Sequence, residues 1–429
     1  MTGLSHGLFP PLPDEARKTL ARLPRLINET FPLPARFRAA LPRDVADLSR
    51  LLTSDRKERG ASYLGRPALL SAYLRYFLPW NTFRLCRLFY ALPLELKPGD
   101  TINDLGAGPL TLAASLWVSR PDLRGIPLEF RCLDKTTAVL ESGKKFFTAL
   151  APNSPWTIKT IRGELRTRGS LSVEIRGKPA ALSAAVNVYN ELFWNIPPMD
   201  EDGLNRFAES HARLLSSITD NAGSVLVVEP GIPRSGEFIS LLRFFLMEEG
   251  RFPLSPCTHS STCPLPGGCG KSRGENGAKA RAAVKARWCH FAFDTEDAPE
   301  ELHSLSAAAR IPKERAVLSF ILAGPAPSEI EKEARNNKAS HGKASRGTTA
   351  APEKIRVISD CFPVGENPTA GKLRRENTWG RYGCSKRGLV LVTGSRRNIE
   401  AAHSGALEEI PFTSGAVDAK SGAFIADKS

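Results

Sequence analysis

The sequence predicts an α/β protein built on a parallel sheet, and three observations predict it. Short apolar runs at Thr101–Leu105, 128–133, 182–189 and 224–228 alternate with segments of helical period. That alternation implies parallel strands covered on both faces. The first run ends in Asp104-Leu105-Gly106-Ala107-Gly108-Pro109-Leu110, a glycine turn between a strand and a helix, where missing Cβ atoms let the backbone turn sharply and approach a ligand. Finally, 429 residues with 41% hydrophobic and 24% charged side chains are enough for two or three domains with a sizeable core.

Taken in order, residues 1–98 are expected to form a helical N-terminal region. Apolar residues recur there at three- and four-residue spacing through Leu48, Leu51 and Leu52, then through Leu69, Leu70, Tyr73, Leu74 and Phe77, with Pro79 and Pro93 as punctuation. Residues 99–329 carry the α/β core. Runs at 288–293 and 316–323 are expected to complete its sheet as a terminal antiparallel pair, so that a cysteine-rich stretch, 251–290, is an insertion before them. Residues 330–353 are polar and charged and are expected to be a flexible linker. Beyond it, runs at 355–359 and 389–393 flank a basic segment and predict a small β-rich appendage over 354–400. A mobile tail is expected at 401–429.

The glycine turn has the marks of a nucleoside site. A dinucleotide fold would carry a third glycine where this chain has Thr111. An acid just before the turn, Asp104, suits S-adenosylmethionine instead. Asp134 ends the next strand, where a carboxylate can accept both ribose hydroxyls. Asn190, in Asn190-Glu191-Leu192, follows the run 182–189 at the carboxyl edge of the sheet, where ligands bind in such folds. Asp104, Gly106, Gly108, Asp134 and Asn190 are therefore the candidate cofactor residues.

Four of the eight cysteines gather in one basic, glycine-rich stretch: Cys257, Cys263, Cys269 and Cys289. Buried thiols normally sit in apolar runs, as Cys86 and Cys132 do. Thiols among Gly, Pro, Ser and Lys point instead to a metal, which can order a segment lacking its own core. Five residues separate Cys257 from Cys263, more than the two to four usual in zinc sites, so an iron–sulfur cluster is favoured and zinc is the alternative. His259 and His290 are weaker ligand candidates.

With these pieces assembled, the chain resembles the methyltransferase-like assembly factors of the small ribosomal subunit, the family of the mitochondrial methyltransferase-like protein seventeen. The resemblance covers most of residues 40–400. It runs through Leu48-Ser49-Arg50-Leu51-Leu52-Thr53 with Arg56, Tyr63-Leu64, Ala72-Tyr73, the glycine turn and Asn190-Glu191-Leu192. It continues through Val228-Glu229-Pro230-Gly231, Arg243, Pro256-Cys257 with His259, Cys263-Pro264-Leu265, Trp288-Cys289-His290-Phe291 and Asp360-Cys361. The resemblance implies a class I S-adenosylmethionine-dependent methyltransferase-like (Rossmann-like) core that acts on the small ribosomal subunit and its rRNA. It also implies a 4Fe-4S cluster, with ligands at Cys257, Cys263, Cys289 and Cys361. Cys269 is the rival for Cys289 or Cys361, and Cys384 is the reserve for the distal position. One departure is Leu110, where family members carry a further glycine.

Chemistry beyond binding is not legible. Asn195-Ile196-Pro197-Pro198 is the nearest approach to an amine-methylating loop, with the wrong spacing and no aromatic after it. No catalytic base or nucleophile stands out, so a protein that binds S-adenosylmethionine without turnover is expected at least as much as an active rRNA methyltransferase. A zinc-stabilised RNA-binding module is the third reading. A net charge of +14 suits a polyanionic partner. Contacts are expected at Lys271, Arg273, Lys279, Arg281, Lys285 and Arg287, and at Lys372, Arg374, Arg375, Arg381, Lys386 and Arg387 with Trp379 and Tyr382. No apolar run is long enough to span a membrane, and the start lacks the order of a secretory signal. The expectation is a cytoplasmic protein, monomeric off the ribosome.

Overall fold

Every residue of β1 (Thr101–Leu105) is buried, Asn103 and Asp104 included, as a strand covered on both faces must be. In the computed structural model it lies between β2 (Glu129–Asp134) and β4 (Ala180–Val186), parallel to both, and β3 (Thr157–Arg162) adds parallel to β2. The resulting order is β3-β2-β1-β4. The structure describes residues 7–55, 63–165, 173–197, 200–267, 287–326, 352–364, 378–412 and 415–428.

These four strands belong to a first unit, Phe9–Val188 with Phe293–Ala316. Its N-terminal helices are part of that unit rather than a separate region. Helix α1 (Asp14–Thr30) buries Ala16, Leu20, Leu23 and Ile27, the spacing of a single helical stripe. Helix α2 (Leu41–Leu52) buries Val45 and Leu48. Helix α3 (Leu78–Phe89) follows a π-turn at Tyr73–Phe77, immediately before Pro79, whose ring nitrogen cannot donate to close an α-turn. Cys86 on α3 donates to the Ser115 carbonyl of α4 (Thr111–Ser119), and both Cys86 and Cys132 are fully buried as expected. Helix α5 (Thr137–Leu150) follows β2.

The second unit comprises Met1–Leu8, Tyr189–Ala292 and Val317–Ser429. Helix α6 (Glu201–Ser217) precedes β5 (Thr219–Pro230), and α7 (Pro233–Glu248) precedes β6 (Phe252–Ser255). β5 and β6 both pair antiparallel with β8 (Arg315–Gly324), which also pairs with β7 (Phe291–Asp294). The runs expected at 288–293 and 316–323 correspond to β7 and β8, but Phe252–Ser255, inside the stretch expected to be an insertion, joins the same sheet as β6 beside β8.

Residues after 352 form a sheet of their own, ordered β13-β9-β11-β12-β14 with β10 beside β11. Its strands are β9 (Glu353–Val357), β10 (Phe362–Pro363), β11 (Trp379–Ser385), β12 (Gly388–Gly394), β13 (Leu407–Ile410) and β14 (Phe424–Asp427). The mobile tail expected at 401–429 is thus corrected. β13 pairs with β9 and β14 with β12, because Ile410, Phe412 and Ala426 supply the core that Ile355, Val390 and Val392 need. The linker expected at 330–353 lies almost wholly outside the described residues.

Arg381 in β11 is expected on the surface but is 0% exposed. It donates to the Ile399 and Ala402 carbonyls and pairs with Glu408 of β13, which neutralises the buried guanidinium. Replacing Arg381 with Ala leaves two carbonyls without their donor and Glu408 with Lys428 alone. A loss of about 3 kcal/mol in unfolding free energy is expected, measured by urea denaturation and localised to β11–β13 by hydrogen exchange.

Candidate cofactor turn and thiol pocket

The glycine turn sits where the strand order reverses, beyond the carboxyl end of β1 and between β2 and β4, the usual ligand position in open α/β sheets. Gly106 and Gly108 adopt φ of +71° and +53°, which glycine reaches at no steric cost. A Cβ on Gly106 would also lie 2.5 Å from Val188, just past β4. The Gly106 and Ala107 amides donate to the Leu133 carbonyl at 2.8 and 2.9 Å, tying the turn to β2. Asp134 completes the brace. One carboxylate oxygen accepts from Gly108 N at 3.0 Å and the other from Thr136 N at 2.9 Å.

Asp104 has a different environment. It is 1% exposed, and Oδ2 has no hydrogen-bond partner among the described residues. Burial, with Asp134 nearby, pushes its carboxyl up to about 8. A buried carboxyl with a spare oxygen beside a glycine turn is a ready acceptor for a ligand's cationic group.

Leu110 also takes a left-handed conformation, φ 60° and ψ 40°, at a cost of about 1 kcal/mol for a residue with a Cβ. Its side chain is fully buried, and a Cβ on Gly143 of α5 would come within 2.8 Å of it. The leucine thus fills the space beneath α5 that Gly143 leaves open. The same Cβ would lie 2.5 Å from the Pro109 carbonyl carbon.

Asn190 lies in the second unit, in the helical turn Tyr189–Leu192. Glu229 at the end of β5, itself fully buried, accepts from Tyr189 N, Asn190 N and Asn190 Nδ2 at 2.8, 3.0 and 2.8 Å. The Asn190 amide is therefore engaged in holding this turn to β5. Sequence reading did not assign Glu229 a role, although it lies in one of the quoted motifs.

The thiol pocket, also in the second unit, is built on α7. Gly236 lets residues 288–289 lie on the helix, since a Cβ there would be 2.9 Å from the Cys289 carbonyl and 2.6 Å from Trp288. The Trp288 indole donates to the Gly231 carbonyl at 2.9 Å, and Ser319 Oγ to that of Cys289 at 2.6 Å. One turn along α7, Ser240 Oγ lies 3.9 Å from the Cys263 sulfur. Arg243 donates to the carbonyls of His259 and Ser261 at 2.9 and 2.8 Å, fixing the loop from Cys257 to Cys263.

From the other side, Arg356 of β9 donates to the Pro256 carbonyl at 3.0 Å. Cys384 of β11 places its sulfur 3.5 Å from His259 Nε2. Arg287 stacks on Tyr382 at 3.9 Å and donates to its hydroxyl at 2.6 Å, two residues ahead of Cys289 and Cys384 respectively. Burial, followed by Cys263, Cys257 and Cys289, pushes the Cys384 thiol well above its ordinary range. Burial and then the neighbouring Arg243 lower the His259 imidazole to about 4, so it is neutral at pH 7.

Of the four ligand positions implied by the resemblance, the structure gathers Cys257, Cys263 and Cys289. Cys361 is not with them. It packs against the core of the C-terminal sheet, and its charge couples to Arg396. The fourth thiol of the pocket is Cys384, because a face of β11 turned toward the Cys257 loop carries it there. Cys269 lies outside the described residues. His290 stacks on Trp288 at 4.4 Å. Among the described residues, no group of three or more His, Cys, Asp or Glu that could hold a metal ion is found.

Most of the expected basic contacts, Lys271 to Lys285 and Lys372 to Arg375, also lie outside the described residues. Of the rest, Arg381 is buried, Tyr382 is stacked with Phe362 and Arg287, and Arg387 pairs with Glu353. Lys386 is exposed. Trp379 lies under Arg396 at 4.7 Å. No described helix is long and apolar enough to cross a membrane.

No family model matches the chain, and no curated protein matches it. Solved structures do match. One is an S-adenosylmethionine-dependent methyltransferase from Geobacter sulfurreducens in complex with S-adenosyl-L-homocysteine, 14% identical over 58% of this chain and 91% of that one, with a TM-score of 0.29. Another is fibrillarin from Aeropyrum pernix with natively bound S-adenosyl-L-methionine, 18% identical over 41% and 72%, with a TM-score of 0.26. A third is precorrin-6y C5,15-methyltransferase from Geobacter metallireducens, 8% identical over 58% and 87%, with a TM-score of 0.28. Likeness at this level is slight, and the α/β assignment rests on the strand order and pairing themselves.

Gly143→Ala tests the turn. The added methyl meets backbone at Pro109, which cannot rotate away, so the turn and α5 must separate. A destabilisation of about 2 kcal/mol is expected, read by chemical denaturation.

Proposed function

We propose that this chain is a methyltransferase-fold protein of the small ribosomal subunit. In this reading it binds S-adenosylmethionine at the glycine turn and a four-iron iron–sulfur cluster in the thiol pocket. The observation that carries the cofactor assignment is Asp104: a buried carboxyl with a spare oxygen, beside a braced glycine turn at the point where the strand order reverses. S-adenosylmethionine brings an ammonium group, which suits Asp104, and ribose hydroxyls, which suit the half-buried Asp134.

The same pocket supports binding without turnover better than an active rRNA methyltransferase. Past the end of β4, where an enzyme aimed at an amine needs an acceptor, stands Asn187, in a left-handed conformation at φ 57°. Its carbonyl oxygen accepts from Arg84 at 2.7 Å. An oxygen already engaged by a guanidinium is a poor acceptor for a target amine's proton.

The metal reading rests on the chemistry of the donor set, four thiols. Cys257, Cys263, Cys289 and Cys384 come from a loop, a strand approach and a separate sheet, and they couple electrostatically. A zinc ion with Zn–S bonds of about 2.3 Å needs tighter closure than a cluster, whose ligands bind different irons. Cys384 replaces Cys361 in the ligand set. When bound, the cluster supplies cross-linking of the Cys257 loop to β11 and a one-electron couple. Ribosome association is proposed from the family resemblance and the net charge of +14.

Three measurements test this reading. Calorimetry should show S-adenosylmethionine binding that tightens close to tenfold per pH unit between pH 6 and 7, because Asp104 must lose its proton to meet an ammonium group. Asp104→Asn should abolish the heat. The same group works against the unliganded fold. With its folded value near 8 and its unfolded value near 4, its contribution is fully favourable at low pH and is lost as pH rises toward 8. Asp104→Asn should therefore raise the thermal midpoint at pH 8 while removing binding. Pelleting with purified small subunits should be seen at low salt and fall steeply with ionic strength. Equal pelleting with large subunits would count against the ribosomal assignment.

A further inference from the structure

Arg243 stands in the thiol pocket with a charge that four neutral thiols do not require. It is 4% exposed, and among the described residues its hydrogen bonds go to carbonyls, with no ion pair to a carboxylate. Its guanidinium makes two bonds to loop carbonyls, and its Nε has no partner among the described residues. Carbonyl bonds orient a guanidinium but do not neutralise it, and a buried cation without a counter-charge costs several kcal/mol. The groups that face it are Cys257, Cys263, Cys289 and Cys384, with the His259 imidazole beside them.

Resting on the proposed metal reading, we propose that Arg243 is the internal counter-cation of the cysteine centre. Four thiols lose four protons to solvent when the centre is loaded, and the bound iron or zinc returns only part of the negative charge. The remainder faces Arg243. The residue would do two things at once. Its carbonyl bonds hold the Cys257–Cys263 loop in shape, and its charge favours the more negative oxidation level of the centre. It is a positioning residue, since nothing requires it to bond to metal.

The test uses the full chain, reconstituted without oxygen with iron and sulfide. Arg243→Lys keeps the charge and part of the bonding; Arg243→Gln removes the charge, and Arg243→Met replaces it if the glutamine variant does not fold. The wild type and the lysine variant should share a reduction midpoint. The neutral variant should be harder to reduce and should lose iron to a chelator at least tenfold faster. If the wild type takes up zinc alone, the rate of zinc release carries the same comparison. A neutral variant with wild-type midpoint and release rate overturns the proposal, as does a lysine variant that behaves like the neutral one. A wild type that takes up neither metal removes the metal reading itself, and this inference with it, a result distinct from either variant outcome.

Discussion

The second unit depends on one helix face. Gly236, Ser240 and Arg243, spaced three and four residues apart on α7, respectively admit the Cys289 segment, approach the Cys263 sulfur and hold the loop between Cys257 and Cys263. Helical periodicity alone puts these three side chains in a row. Once they are fixed, the loop can meet Arg356 and Cys384 from the C-terminal sheet. Segments separated by more than a hundred residues of chain converge because a short stripe on α7 offers a gap, a hydroxyl and a charge in succession.

The first unit obeys a comparable economy. Its glycine turn is stiffened by three means: paired amides on the Leu133 carbonyl, the Asp134 carboxylate, and the close approach of α5 at Gly143. A turn braced in this way can tolerate a left-handed Leu110, since the buried side chain offsets the backbone cost. It also buries Asp104, whose carboxyl is pushed up to about 8 and must give up its proton to meet a cation.

Much of this was legible in the sequence, for physical reasons that differ by element. β1, β2, β4 and β5 are buried strands and announce themselves as apolar runs. β3 does not, because its residues Thr157, Lys159, Thr160 and Arg162 are exposed at the sheet edge and only Ile158 and Ile161 turn partly inward. β13 and β14 read as a mobile tail in sequence because each is short, and their burial becomes evident only against Val390 and Val392. Asp104 and the glycines were found because a strand, a turn and a helix are local. Their brace at Gly143 was not, since it depends on tertiary packing.

The cysteines divide along the same line. Cys257, Cys263 and Cys289 were recognisable from their polar surroundings, whereas the distal position was not, because Cys361 and Cys384 both lie near strands of one small sheet. Only the pairing of β11 with β9 and β12 decides which faces the loop. That choice is open to a direct test. Iron, sulfide and zinc should be measured in anaerobically purified wild-type, Cys384→Ser and Cys361→Ser proteins. Near-stoichiometric metal in the wild type and in Cys361→Ser, with most of it lost in Cys384→Ser, is the predicted result. Metal retained by Cys384→Ser and lost from Cys361→Ser would contradict the assignment.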